Sequence, residues 1–387
     1  MFLSIKTRYF APLAIMSLLI ACADNAATQA AQAPRSPTPA PVEAPVQTSV
    51  VADGLEHPWG LEFLPDGRML VTERPGQLRI VDKDGSISEP LGGVPEVYAS
   101  GQGGLLDLAL SPDFESDRLV YLSYSEPDGD VAGTAVARGK LTRNGLQKVE
   151  VIWRQEPKVN SSNHWGSRIV FAPDGTLFIT TGDRYDRRED VQDLSTTIGK
   201  VIRINADGSI PQGNPFVTRE GAQPEIWSYG HRNLQGAALH PETDQLWTLE
   251  HGAMGGDELN HPQAGLNYGW PMITYGVDYT GVRIGEGVAK KGMEQPVYFW
   301  DPVIAPSGAL FYTGDAFPDW RSDLFVGSLA ESVLVRLDMQ GGRVDSETRF
   351  LEDVGERIRD VRQGPDGLIY VITDETDGKI IKIEPAG

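Results

Sequence analysis

The stretch GSRIVFAPDGTLFITTGD (residues 166–183) decides the fold. Apolar residues lead into Pro173, Asp174 and Gly175, and a run of β-formers follows from Thr176 to Thr181. Two such runs about an Asp-Gly turn signal a β-hairpin. The pattern recurs in HPWGLEFLPDGRMLVTE (residues 57–73), GLLDLALSPDFESDRLVYLSY (residues 104–124) and NLQGAALHPETDQLWTLEHG (residues 233–252). It appears more loosely in SGALFYTGDAFPDWRSDLFVGSL (residues 307–329) and last in IRDVRQGPDGLIYVITDE (residues 358–375). Intervening segments such as GQLRIVDKDGSISEPL (residues 76–91) supply further strands. Six copies at intervals of roughly 45 to 75 residues predict an all-β, six-bladed β-propeller of four-stranded antiparallel blades. A pair of β-sandwiches would explain the strands but not the sixfold recurrence.

Composition agrees with many short strands. The 387 residues include 43 Gly and 27 Pro, more punctuation than a helical protein tolerates, and 40% hydrophobic residues suffice for a sizeable core. A formal net charge of −20 argues against nucleic acid as a partner. MFLSIKTRYFAPLAIMSLLIAC (residues 1–22) places Lys6 and Arg8 before a short apolar run and reads as a secretory signal. It ends at the chain's single cysteine, Cys22, which cannot form an internal disulfide. LIAC is similar to the bacterial lipobox, implying residues 1–21 as signal, a lipid on Cys22 and a periplasmic location; an ordinary cleaved signal or a buried structural Cys is the alternative. Residues 22–46, rich in Ala and Pro, read as a tether, and residues 47–387 as the propeller domain.

Propeller geometry brings the loops before the inner strands to one mouth of the central channel. Polar residues at that place in several copies are Gln102, His164, Arg232 with Asn233, and Arg357 with Arg359. His164 in KVNSSNHWGSR (residues 158–168) reads as a loop residue, a metal ligand or a catalytic base. Zinc is the poorest of these, because no other histidine stands at ligand spacing. A hairpin turning at residues 173–175 lets Asp183 approach His164, and a carboxylate there fixes the imidazole tautomer and raises its basicity. The arginine of YGHRNLQG (residues 229–236) offers a fork for a carboxylate or phosphate. Arg357 and Arg359 share a face of an extended backbone and either flank an anion or pair with Glu352, Asp353 or Asp360. EHGAMGGDELNHPQAGLNYGWP (residues 250–271) mixes carboxylates with glycines, the composition of a Ca²⁺ loop, without EF-hand spacing.

GQGGLLDLALSPDF, NHWGSR, YGHRNLQG, GGDELN, NYGWP and RIRDVR, in that order over about residues 50–385, resemble the soluble quinoprotein glucose dehydrogenases. The resemblance is closer to the bacterial aldose sugar dehydrogenases. Both are six-bladed propellers binding pyrroloquinoline quinone and Ca²⁺. The resemblance implies His164 as the base that takes the anomeric hydroxyl proton and Asp183 as the carboxylate that orients it. It implies that Gln102, Arg232, Asn233, Tyr279, Ser328, Leu329, Arg357 and Arg359 hold the quinone, whose three carboxylates call for arginines. Gly252 and Ala253 match positions whose carbonyls ligate the Ca²⁺ that polarises the quinone, and Glu258 and Tyr268 match a further calcium site.

Four positions depart from that pattern. Ala330 in GSLAES (residues 327–332) stands where a lysine is common, Asn163 where some relatives carry an acid, Ser167 for a frequent Gly and Ala253 for a frequent Pro. The expected activity is oxidation of the C1 hydroxyl of aldoses to lactones, with electrons passing to an external acceptor. A Ca²⁺-dependent lactonase-like hydrolase and a non-catalytic propeller binding module are the alternatives. No Rossmann glycine fingerprint is present, which argues against nicotinamide.

Overall fold

The computed structural model describes residues 46–386; the signal, Cys22 and all of the tether before Val46 lie outside the described residues. Six antiparallel sheets follow one another along the chain. Their inner strands are Pro58–Phe63, Leu105–Leu110, Ile169–Phe171, Leu234–Leu239, Pro306–Phe311 and Ile358–Gln363, one from each repeat copy. Each inner strand packs against the next, and the last returns to the first, closing the ring. Five blades have four strands; the first has three, with Val81 and Ile87 forming an isolated bridge where a fourth would run. The strand Val46–Leu55 is not part of the first blade. It pairs antiparallel with Gly378–Pro385 and is the outer strand of the sixth.

Each interface between neighbouring blades holds its own apolar cluster, as two sheets packed face to face require. Between blades five and six, Phe325 and Leu334 meet Val361, Val371 and Ile381, with Phe317 stacked on Trp320 at 4.0 Å. Each such side chain contributes about 1.5–3 kcal/mol by leaving water.

The inner strands also carry a polar layer. Asp107, Arg168 and Asp360, with Gly60, Gly236 and Gly308, occupy one equivalent position per copy. The amides of Gly60, Asp107 and Arg168 bond the hydroxyls of Thr72, Ser123 and Thr180, one on each second strand. Arg168 is 1% exposed and lies 3.0 Å from both Asp107 Oδ1 and Asp360 Oδ1. Its remaining donors reach the carbonyls of Gln235 (2.8 Å) and Arg359 (3.1 Å), and its guanidinium stands 4.1 Å from the Trp59 ring centroid. The glycines make room for these groups. A Cβ on Gly308 would lie 2.1 Å from Asp360 Oδ1, and one on Gly236 2.4 Å from the Ser307 carbonyl oxygen. Gly308→Ala should therefore lower the unfolding free energy by about 1–3 kcal/mol, the usual cost of overpacking; denaturant melts with an unchanged midpoint would contradict this.

Candidate active site

His164 lies on the loop entering blade three, in the left-handed region at φ 53°. Its amide donates to Gln102 Oε1 (2.8 Å) from the neighbouring blade, and the buried Trp165 anchors the loop through Nε1–H to the Ser162 carbonyl (2.9 Å). Asp183 follows the second strand of the same hairpin, and its amide bonds the Arg232 carbonyl (2.7 Å). The sequence expectation holds here: His164 Nδ1 lies 2.6 Å from Asp183 Oδ1. The carboxylate is oriented from two further sides, by the Tyr185 amide on Oδ1 and by Trp270 Nε1–H on Oδ2, each at 2.8 Å. Ser167, Arg184 and Tyr185 are also left-handed, at φ 92°, 55° and 63°. Such strain concentrates at functional sites. At position 167 the conformation is one that only glycine adopts freely, and Ser167 is held in it.

Burial holds the His164 imidazole below its ordinary pKa, against the opposing pull of Asp183, so the free base dominates at neutral pH. Burial alone would raise Asp183, but its hydrogen bond to His164 and the charges of His164 and Arg232 bring it below the usual carboxylate range. With Nδ1–H directed at Asp183, Nε2 carries the lone pair. The pair opens on a cavity of about 380 Å³ that Arg232, Ala253, Trp270 and Tyr279 also line. Tyr279 is 57% exposed, its hydroxyl 3.5 Å from Arg232 Nη2.

A second cavity of about 220 Å³ brings together Gln102, Leu329, Arg357 and Arg359, as expected, and Ala330 lines it too. Ser328 is placed differently: it is buried and its hydroxyl donates to the Ile304 carbonyl (2.7 Å). Arg357 and Arg359 do pair with a carboxylate, but it is Asp374, not Glu352, Asp353 or Asp360. Trp59, Arg74, Gln235, His251 and Ala305 complete the wall. Trp59 and Gln235 hold the repeat position of Arg359, so aligning the six copies would have found them; Arg74 lies in the turn just after the second strand of the first copy, Met69–Glu73. The donors Arg232 Nε, Asn233 Nδ2 and Arg359 Nε are buried without partners, although Asn233 Oδ1 accepts from the Gly166 amide (3.2 Å). Buried unpaired donors are costly and fit a polyanionic ligand such as a tricarboxylate quinone.

Gly252, Glu258 and Tyr268 line one small cavity with Glu250. Asn260 Nδ2 bridges Glu250 Oε1 (2.8 Å) and Glu258 Oε2 (3.0 Å), while Asn260 Oδ1 is a buried acceptor without a partner. Burial and then the Glu250 charge push Glu258 well above the usual carboxylate range. Two facing carboxylates and an orphan amide oxygen fit a hard divalent cation. Among the described residues no group of three or more His, Cys, Asp or Glu side chains is arranged for a metal, so backbone oxygens would have to complete the shell. The Gly252 carbonyl now accepts from Arg232 Nη1, and the Tyr268 hydroxyl donates to the His261 carbonyl (2.6 Å).

Comparison with known proteins bears on this architecture. The family model described as Glucose / Sorbosone dehydrogenase matches residues 55–382. The aldose sugar dehydrogenase YliI of Escherichia coli (strain K12) is 48% identical over 349 residues, 88% of this chain and 94% of that protein. The crystal structure of the soluble E. coli aldose sugar dehydrogenase in its apo form superposes with a TM-score of 0.86 at 46% identity, covering 88% of this chain and all of the other. The PQQ-bound aldose sugar dehydrogenase of Streptomyces coelicolor gives 0.73 at 30% identity, covering 90% of this chain and all of that one. The paired His164 and Asp183 at the mouth of a six-bladed ring thus sit in a chain that belongs to the Glucose / Sorbosone dehydrogenase family.

Proposed function

We propose that the protein oxidises the C1 hydroxyl of aldose sugars to lactones with pyrroloquinoline quinone and Ca²⁺. The observation that carries this reading is the buried His164–Asp183 pair opening on a cavity beside one walled by Arg74, Arg357 and Arg359. The relatives' names support it, one of them a PQQ-bound aldose sugar dehydrogenase.

When bound, the quinone supplies the two-electron acceptor, and the cation adds Lewis acidity. Arg232, Asn233, Arg357 and Arg359, with Gln102 and Tyr279, are the residues to hold the quinone; Arg74, Gln235 and Trp59 join them. The Gly252 and Ala253 carbonyls are to serve the cation beside the quinone, and Glu258, Tyr268, Glu250 and Asn260 the further calcium site. His164 Nε2 takes the proton of the anomeric hydroxyl as the C1–H bond breaks. Asp183, fixed by Trp270 and the Tyr185 amide, holds the tautomer that leaves Nε2 free and stabilises the imidazolium that results. Export to the periplasm, lipid anchoring at Cys22 and an external electron acceptor complete the proposal.

The test is reconstitution with the quinone and Ca²⁺, followed by a dye-linked assay over a panel of aldoses. Turnover should depend on both additions. Arg359→Met should weaken quinone binding by about 10- to 100-fold, the worth of a charged hydrogen bond, read from quenching of tryptophan fluorescence in the protein without substrate. Lactone hydrolysis without quinone, or no quinone binding at micromolar concentration, would overturn the reading.

A further inference from the structure

Arg184, next to Asp183 in sequence, is an anomaly of the buried interior. It is 0% exposed, left-handed at φ 55°, and its guanidinium carbon sits 3.2 Å from the centroid of the Trp165 ring. One arm, Nη2, donates to the Ser161 carbonyl; Nε and Nη1 are buried without partners. No carboxylate forms an ion pair with it among the described residues, although Asp183 adjoins it. A cation buried this way costs free energy unless it is used.

Its attachments all converge on the loop that carries the imidazole. Trp165 adjoins His164 in sequence, and Ser161 and Ser162 precede it. The Ser161 carbonyl is held by Arg184 and the Ser162 carbonyl by Trp165 Nε1–H. From the other side, Tyr185 sets its ring edge-on to His164, with centroids 5.3 Å apart. The residues Asp183, Arg184 and Tyr185 thus grip the imidazole and its loop from one short segment. We infer that Arg184 is a positioning residue for His164: it clamps the loop through Trp165 and Ser161, and it keeps a permanent positive charge behind the imidazole.

That charge has a direction. Around His164, burial disfavours the protonated ring most, Asp183 favours it, and Arg232 and then Arg184 disfavour it. His251 is the other nearby imidazole, and burial pushes it down to about 3, so it stays neutral. On the cavity wall the charges are mixed: Asp186, Glu189 and Asp278 against Arg188. Burial draws Arg184 down to about 9, still above neutral pH, so its charge persists in the working range. The protein therefore uses one carboxylate to orient the base, and burial, aided by Arg232 and then by the hidden Arg184, stops that carboxylate from keeping it protonated.

This rests on His164 being the base, so the test separates the two ideas. NMR titration of labelled histidine, with His164 assigned from a His164→Asn variant, needs no turnover. Arg184→Met should raise the His164 pKa by a few tenths of a unit, one like charge among several influences on the ring. In the reconstituted enzyme, the acid limb of kcat/KM should move up by the same amount and plateau kcat should fall about tenfold as the loop loosens. Arg184→Lys keeps the charge but not the flat stacked fork; it should leave the acid limb near its native place and still lower plateau kcat. An Arg184→Met protein whose His164 titrates as in the native chain overturns the inference. If that variant does not fold, the native protein decides, because a His164 that titrates at or above about 6.5, the free imidazole value, overturns it too. Absence of sugar oxidation with a depressed His164 pKa refutes the dehydrogenase reading instead.

Discussion

Replacing His164 by Asn is expected to lower kcat on the best aldose by about 10²- to 10⁴-fold, the usual worth of a positioned general base. Asparagine keeps a polar group of similar reach near Asp183 but offers no basic lone pair toward the cavity. Quinone binding should be nearly unaffected, since His164 is 2.6 Å from Asp183 and the arginines of the second cavity are held by other partners. The loss should therefore fall on kcat at saturating quinone. The native pH dependence follows from the same group: the imidazole pKa is lowered in the fold, so activity is full above that depressed value and is lost as pH falls through it. A kcat within tenfold of native would show that the proton goes elsewhere.

The second large effect concerns stability. Arg168→Met should cost about 3–5 kcal/mol of unfolding free energy, because it leaves Asp107 and Asp360 buried and facing each other with the central cation gone. Arg362 lies 3.5 Å from Asp107 and 3.3 Å from Asp360, and it limits the loss without replacing the central charge. Adding Asp107→Asn and Asp360→Asn to Arg168→Met should recover part of the loss, since the isolated charges go with their partner. Guanidinium melts of the three proteins measure this, and a single-variant loss under about 1 kcal/mol would mean that solvent reaches the layer.

Much of this was legible because the propeller repeats. Every inner strand came from a copy recognisable by its turn and its alternation, and the approach of His164 to Asp183 followed from counting residues about one hairpin turn. What the sequence did not disclose are particular side-chain partners, within a copy as well as between copies. Asp374 as the partner of Arg357 and Arg359 lies beyond the adjacent acids because the second strand of the same blade returns it to the channel. Ser328 turned inward because its strand end is capped by the Ile304 carbonyl rather than open to the cavity. The Gly–Asp–Arg layer was invisible in any one copy, where Arg168 reads as an ordinary charge after a loop. Only superposing the six copies shows that three of them omit a side chain where the other three place a charge.

The outer strand of blade six has a kinetic meaning. Val46–Leu55 pairs with Gly378–Pro385 across almost the whole length of the described chain, and Gln47 stands opposite Glu384. Contacts this distant in sequence form slowly, and the ring cannot lock until both segments are available. Until Val46–Leu55 docks, Gly378–Pro385, which carries Ile380, Ile381 and Ile383, is an unpaired edge of the kind that recruits other chains. A chain emerging in order from its N-terminus keeps its closing strand waiting while five blades assemble. Folding that stalls before this pairing should yield aggregation rather than a nearly finished ring.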